Sequence, residues 1–229
     1  MSEFEAVFGV PREEITPTCI LIPCLAGPVS AQLKCVKFAK GKLYSTARYK
    51  GTTIVHTRIG PAFTGDAALY LTENGCRRIV LFGACGSLSE SRLPVGALVS
   101  PETSYAVESF SSMLAQIPKN PQRYNASPEL LGEITGDGSA AKVCCLTTGS
   151  LKLEAAAKNA MAHLGIDVID MECSALFSAA AAARAEAAAI MFVTDIVAHK
   201  PYYRDITRDE STRIDKSVKS ALAMLCGLN

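Results

Sequence analysis

The stretch "DVIDMECSALFSAAAAARAEAAAIMFVTD", residues 167–195, sets out the fold in miniature. An apolar, strand-like segment leads into an alanine-rich helix, and the helix leads into a second apolar strand. Alanine has the best helix propensity, and its small side chain lets a helix lie close on a sheet. The alanines therefore read as packing. Glu172 and Asp195 stand just beyond the two strand-like runs, with little other charge between them. That placement makes them candidates for chemistry.

The same alternation extends outward in both directions. "TCILIPCLA" (18–26) reads as a buried strand, followed by a helix with Pro28 near its first turn. "KLYSTARYKGTTIVHTRI" (42–59) reads as a hairpin turning at Lys50-Gly51. "TGDAALYLTENG" (64–75) reads as a helix with Thr64 as N-cap and Gly75 past its end. "RRIVLFGACG" (77–86) reads as a buried strand entering a glycine turn, and "KVCCLTTGS" (142–150) as another strand. A helix ending at Gly165 precedes the opening stretch. A final helix runs from Thr207 to about Leu225, with Thr207 and Glu210 as a capping box and Ile214, Val218, Leu222 and Leu225 on one face. Strands alternating with helices predict an α/β layer architecture with helices on both faces of a sheet. Ligands in such folds sit beyond the carboxyl ends of the strands.

At 229 residues, 49% hydrophobic and 20% charged, the chain has an ordinary globular composition. It reads as one domain over residues 1–229, with 1–14 a loose N-terminal arm. No apolar run is long enough for a transmembrane helix, and the start "MSEFEAVFGVPREE" resembles neither signal nor transit peptide. The expected location is the cytoplasm, with no membrane partner. The nine cysteines contain no C-x-x-C and the histidines are three, so reduced buried cysteines are expected and no metal site.

The net charge of +1 conceals a basic stretch. Between Ile15 and Gly65 there is no acid, while Lys34, Lys37, Lys40, Lys42, Arg48, Lys50 and Arg58 are all basic. Such a stretch is either a solvated face or an attractor for an anion. Nucleic acid is not the expected anion, because no aromatic-interleaved recognition motif accompanies the charge.

Three segments bear on function. Gly83-Ala84-Cys85-Gly86-Ser87 after a buried strand is a turn whose N–H groups would cradle an anion, yet it is neither G-x-G-x-x-G nor a P-loop. Glu172 in "DMEC" either complements a helix dipole, with Asp170 as cap, or accepts two hydrogen bonds from a vicinal diol. Asp195 in "VTDIV" either closes a turn or acts as a partly desolvated general acid, with Arg208 as a neighbouring cation.

Together these segments resemble the nucleoside phosphorylase and nucleosidase superfamily, over roughly Tyr49 to Leu225. "RIGPAFTGDAALYLTENGCRRIVLFGACGSL" is similar to its Gly-Ile/Met-Gly segment, helix, strand and Gly-x-x-Gly turn. "IDMECSALF" is similar to its Val-Glu-Met-Glu segment, and "VTDIV" to its Val-Ser-Asp motif. The resemblance implies a three-layer α/β sandwich with a central mixed β-sheet flanked by helices. It implies that Glu172 binds the ribose hydroxyls with Met171 against the sugar, and that Asp195 hands a proton to the leaving base, helped by Arg208. Thr148, Gly149, Leu151 and Thr194 would form the base pocket. Gly60, Ala84, Cys85 and Gly86 would hold phosphate.

The departures concern the anion. The family's Gly-Asp-Pro-x-Arg or Gly-Ala-Met-x-x-Glu appears here as "IPCLAGPVSAQL", without the Asp and Arg of phosphorylases or the Glu of nucleosidases. Leu81 replaces a phosphate-binding Arg, Ala84 a Ser or Thr, and Ala97 the Asp of Val-Gly-Asp. The base-side Ser-x-Asp is Thr147-Thr148-Gly149-Ser150. Arg58, Lys40 or Arg48 would have to supply the missing positive charge, the last two across a subunit interface of a homo-oligomer. The expected reaction is cleavage of the N-ribosidic bond of a nucleoside, purine favoured, preferably by phosphorolysis. Phosphate would be co-substrate, and no cofactor is implied. Hydrolysis, a non-catalytic nucleoside binder and a dinucleotide oxidoreductase are the alternatives, the last resting on the α/β pattern alone. Convergence of Arg58 and Lys40 on Gly83–Gly86 would favour phosphate binding. Their pointing to solvent would favour the binder.

Overall fold

In the computed structural model, which describes residues 1–25, 27–197 and 199–228, ten strands form one mixed sheet. In chain order they are β1 (Thr18–Ile22), β2 (Ala39–Lys40), β3 (Ser45–Tyr49), β4 (Thr52–His56), β5 (Arg78–Ser87), β6 (Leu98–Val107), β7 (Gln122–Asn125), β8 (Ala141–Thr148), β9 (Val168–Asp170) and β10 (Glu186–Ile196). The helices are α1 (Glu3–Phe8), α2 (Gly27–Gln32), α3 (Pro61–Glu73), α4 (Phe110–Ala115), α5 (Pro128–Thr135), α6 (Glu154–Ala160), α7 (Cys173–Ala183) and α8 (Arg208–Leu225).

The strands lie in the order β10-β6-β8-β9-β5-β1-β4-β3-β2, with β7 on β6. Because β10 also pairs with β5, the strands β5, β10, β6, β8 and β9 close a ring, and β1, β4, β3 and β2 extend from it. Pairing is parallel for β1 with β4 and β5, for β5 with β10, and for β8 with β6 and β9. It is antiparallel for β10 with β6 and for β5 with β9. The mixed α/β sheet flanked by helices is the architecture expected above.

Local sequence accounts for much of this. All five residues of β1 are buried, as in a strand covered on both faces. Lys50 and Gly51 both have positive φ (48° and 89°), the turn that suits a two-residue hairpin, so β3 and β4 meet where the sequence predicts. Helix α8 begins with the expected capping box, worth about 1 kcal/mol, and buries Ile214, Val218, Leu222 and Leu225. Helix α7 buries Cys173 to Phe177 with Ala179 and Ala180, and packs on α3, where a Cβ added at Gly65 would lie 3.8 Å from the Ala175 Cβ.

Four expectations change. Helix α3 starts at Pro61 with Gly60 at its N-cap, so Thr64 lies inside the helix rather than capping it. Strand β5 continues through Gly83–Ser87 instead of turning there, because β10 pairs along it to Ser87 and β9 joins at Gly86 and Ser87. The predicted helix ending at Gly165 is the short α6 followed by a separate 3-10 turn at Ala162–Leu164. Residues 3–8 form α1, with Phe4 and Phe8 buried and Phe8 stacked against Phe4 at 4.4 Å. Among the described residues, no helix is long and apolar enough to cross a membrane.

Candidate active site

A cavity of about 410 Å³ opens where β1, β5, β8, β9 and β10 end or hand over to the following helices. Its size suits a small-molecule ligand. Most of its wall is apolar, from residues such as Val29, Leu151, Phe192 and Ile214, and it contains four carboxylates, Glu154, Asp170, Glu172 and Asp195.

Asp170 ends β9 and caps α7. Its Oδ2 accepts from the backbone N–H groups of Glu172 (3.0 Å) and Cys173 (2.6 Å), and its Oδ1 from the Thr147 hydroxyl at 2.6 Å. These are orphan donors at a helix start, so the carboxylate fixes the strand-to-helix joint. Burial raises the Asp170 carboxyl, and the four groups that hydrogen-bond it, Thr147, Glu172, Cys173 and Cys145, pull the other way.

Glu172 occupies the N-cap position of α7 without capping it. Its side chain turns instead to the start of α3, where Oε1 accepts from the Gly60 N–H at 2.7 Å. Burial, then the neighbouring Asp170 charge, pushes its carboxyl up to about 8, against the backbone N–H groups of Gly60 and Met171. Asp170 is thus the cap of α7, and the Glu172 side chain turns away from its own helix.

Asp195 reaches the cavity through a β-bulge. The register of β10 on β5 shifts between Val193 and Asp195, which leaves Thr194 as the extra residue. The Thr194 hydroxyl donates to Asp195 Oδ1 at 2.8 Å. Opposite lies Gly86, where a Cβ would fall 3.0 Å from Asp195 Oδ2 and 2.8 Å from Val197 Cγ2. A residue without a side chain is needed there for Asp195 to sit as it does. Burial raises the Asp195 carboxyl, and the Thr194 hydrogen bond offsets part of that.

Glu154, which the sequence reading passed over, is the first residue of α6. Burial, then the charge of Asp195, raises its carboxyl to about 7. The charge of Asp195 thus acts on Glu154, as that of Asp170 acts on Glu172. In the sequence Glu154 reads as an ordinary acid opening a helix, in "LKLEAAAK".

Of the other expected residues, Met171, Ala84, Cys85, Gly86, Thr148, Leu151 and Thr194 line the cavity. Gly60 joins it through its bond to Glu172. Gly149 does not line it, and its N–H donates to the Val107 carbonyl at 3.1 Å. Arg208 is exposed in the first turn of α8 and is not part of the wall. Arg58 is exposed with its guanidinium 5.7 Å from the Phe63 ring centre, Arg48 donates to the Glu14 carbonyl, and Lys40 is exposed on β2, the last strand of the sheet. Neither Arg58 nor Lys40 lines the cavity that Gly83–Gly86 border. Among the described residues lining the cavity there is no Arg, Lys or His.

The family model for the phosphorylase superfamily matches residues 23–226, a span that contains every residue of the cavity wall. The chain belongs to the phosphorylase superfamily. Solved members of this fold include a purine nucleoside phosphorylase from Toxoplasma gondii in complex with immucillin-H. It is 19% identical with a TM-score of 0.73, and the alignment covers 99% of this chain and 96% of that one. A uridine phosphorylase from Vibrio fischeri is 20% identical with a TM-score of 0.69, covering 95% and 92%. A 5'-methylthioadenosine/S-adenosyl homocysteine nucleosidase from Campylobacter jejuni is 17% identical, also at 0.69, covering 91% and 96%. No curated protein matches the sequence. At these identities the likeness carries the phosphorylase-superfamily fold. Phosphorylases and nucleosidases both share it.

Proposed function

We propose that this protein cleaves the N-ribosidic bond of a nucleoside, with a purine as the favoured base and water as the acceptor. The observation that carries the reading is the pair of buried carboxylates, Glu172 at the start of α7 and Asp195 at the bulge of β10, on the wall of one cavity.

In this reading Glu172 accepts hydrogen bonds from the ribose hydroxyls, a task suited to a carboxylate. Asp195, whose carboxyl burial raises, donates a proton to the base nitrogen as the C1′–N bond breaks and its electron pair leaves with the base. Positive charge develops on the sugar, where the carboxylates of the wall stabilise it. Water then adds to C1′ and gives up a proton, which restores the Asp195 carboxyl. Met171 packs against the sugar, and Thr148, Leu151 and Thr194 border the base.

Water is preferred over phosphate for an electrostatic reason. Four carboxylates and no cation among the described wall residues make a poor site for a phosphate dianion. Phosphorolysis would need cations from elsewhere, such as a second copy of the chain. The exposed positions of Arg208, Arg58 and Lys40 favour a second reading, a nucleoside binder without turnover.

The two readings separate on base release from a nucleoside panel by wild type and Asp195→Asn. Turnover that falls about 100-fold or more in the variant is the expected result. Binding without release by wild type would leave the binder.

A further inference from the structure

The cavity contains one carboxylate to which the reaction above gives no task. Glu154 is partly buried and has no hydrogen bond or ion pair among the described residues, whereas Asp170, Glu172 and Asp195 each accept at least one hydrogen bond. A second group shares its condition. The Thr148 hydroxyl, at the end of β8, is buried without a partner on the same wall. Buried polar groups in folded proteins are normally hydrogen-bonded, so the Thr148 hydroxyl asks for a ligand atom, and the unpaired, half-buried Glu154 stands on the same wall.

Their position says which part of a ligand. Glu154 opens α6 on the β8–α6 joint, the same segment that brings Thr148 and Leu151 to the wall where the base lies in the reading above. Glu154 therefore lies on the leaving-base side of the cavity. Leu151, Phe192 and Ile206 supply apolar wall. A flat heterocycle held among such side chains meets polar groups only at its rim. A carboxylate accepts from N–H there, and a threonine hydroxyl both accepts and donates.

We propose that Glu154 recognises an N–H group on the rim of the base remote from the glycosidic bond, with the Thr148 hydroxyl as second contact. The preferred substrates are then nucleosides whose base carries an amino group or a ring N–H at that rim. The inference rests on the nucleoside reading of the cavity. A base offering only acceptors leaves the carboxylate unpaired in a desolvated site, which is the arrangement that rejects an analogue most strongly.

The test compares inosine (ring N–H), adenosine (amino group) and purine riboside (same ring, acceptors only) for wild type, Glu154→Leu and the near-isosteric Glu154→Gln. Both Kd and kcat/KM are measured. Wild type is expected to prefer the better of the first two over purine riboside by about tenfold or more. The preference should shrink to within about threefold in Glu154→Leu and persist in part in Glu154→Gln, whose carbonyl still accepts. A wild-type preference below threefold, or one unchanged in Glu154→Leu, overturns the proposal. If none of the three is cleaved but the Kd preference appears and depends on Glu154, the recognition stands and the cleavage reading fails. If release occurs without the preference, the cleavage reading stands and the recognition fails. Absence of both binding and release overturns both.

Discussion

The backbone N–H of Gly60 donates to Oε1 of Glu172 at 2.7 Å, joining the start of α3 to the start of α7. Gly60 holds φ at 124°, a value L side chains rarely adopt. The bond aims a buried carboxylate into the cavity from a position where it would otherwise serve only its own helix. Gly60→Ala is therefore expected to cost about 1–3 kcal/mol of stability through backbone strain. It should also raise KM for a nucleoside more than it lowers kcat, because the sugar contact loses its aim. Chemical denaturation and steady-state kinetics on the same preparation check both parts.

Asp170 accepts two backbone N–H groups and a hydroxyl while fully enclosed. Asp170→Asn replaces an acceptor oxygen by a donor and leaves at least one of these unmatched. The expected loss is about 1–3 kcal/mol, read as a shift of the urea midpoint with unchanged slope.

Gly86 and Asp195 face each other across the bulge. Gly86→Ala places a methyl against the Asp195 carboxyl and Val197, so the acid has to move. A shift of this kind is expected to lower kcat about tenfold or more while nucleoside Kd changes little. Parallel calorimetric titration and turnover assays separate the two.

Glu172 has its folded-state carboxyl raised from 4.5 to about 8. Below pH 4.5 it is protonated folded or unfolded, and its stabilising neutral form is fully retained. As pH climbs from 4.5 to about 8 the unfolded chain ionises first, so stability is lost across that window. Glu154 adds a smaller loss ending near 7. The wild-type Tm should fall between pH 5 and 8, at roughly 2–4 °C per kcal/mol. Glu172→Gln should flatten the fall and be the more stable protein at pH 8.

Much of this was legible in the sequence where local rules act alone. The capping box of α8, the Lys50-Gly51 hairpin and the alanine face of α7 depend on neighbours a few residues away. The ring of strands was not legible. It arises where β10 pairs with β5 along its length and with β6 at Met191 and Phe192, contacts between segments far apart in the chain. The same pairing explains why Gly83–Ser87 continues a strand although its glycines read as a turn. Of the candidate site, Glu172 and Asp195 were legible from their places just beyond two strand-like runs and from the motifs around them. Glu154 was hidden because an acid opening a helix looks like a dipole partner. Charge along the sequence says nothing of direction, and Lys40 and Arg48 lie on the outer strands β2 and β3.

If Asp195 and Glu172 drive attack by water, the sugar product and the rate of base release by wild type, with and without inorganic phosphate, reveal it. The expected result is release in phosphate-free buffer, free ribose as product, and no acceleration by phosphate. Release only with phosphate, yielding ribose 1-phosphate, would contradict it and require a cation source outside this cavity wall.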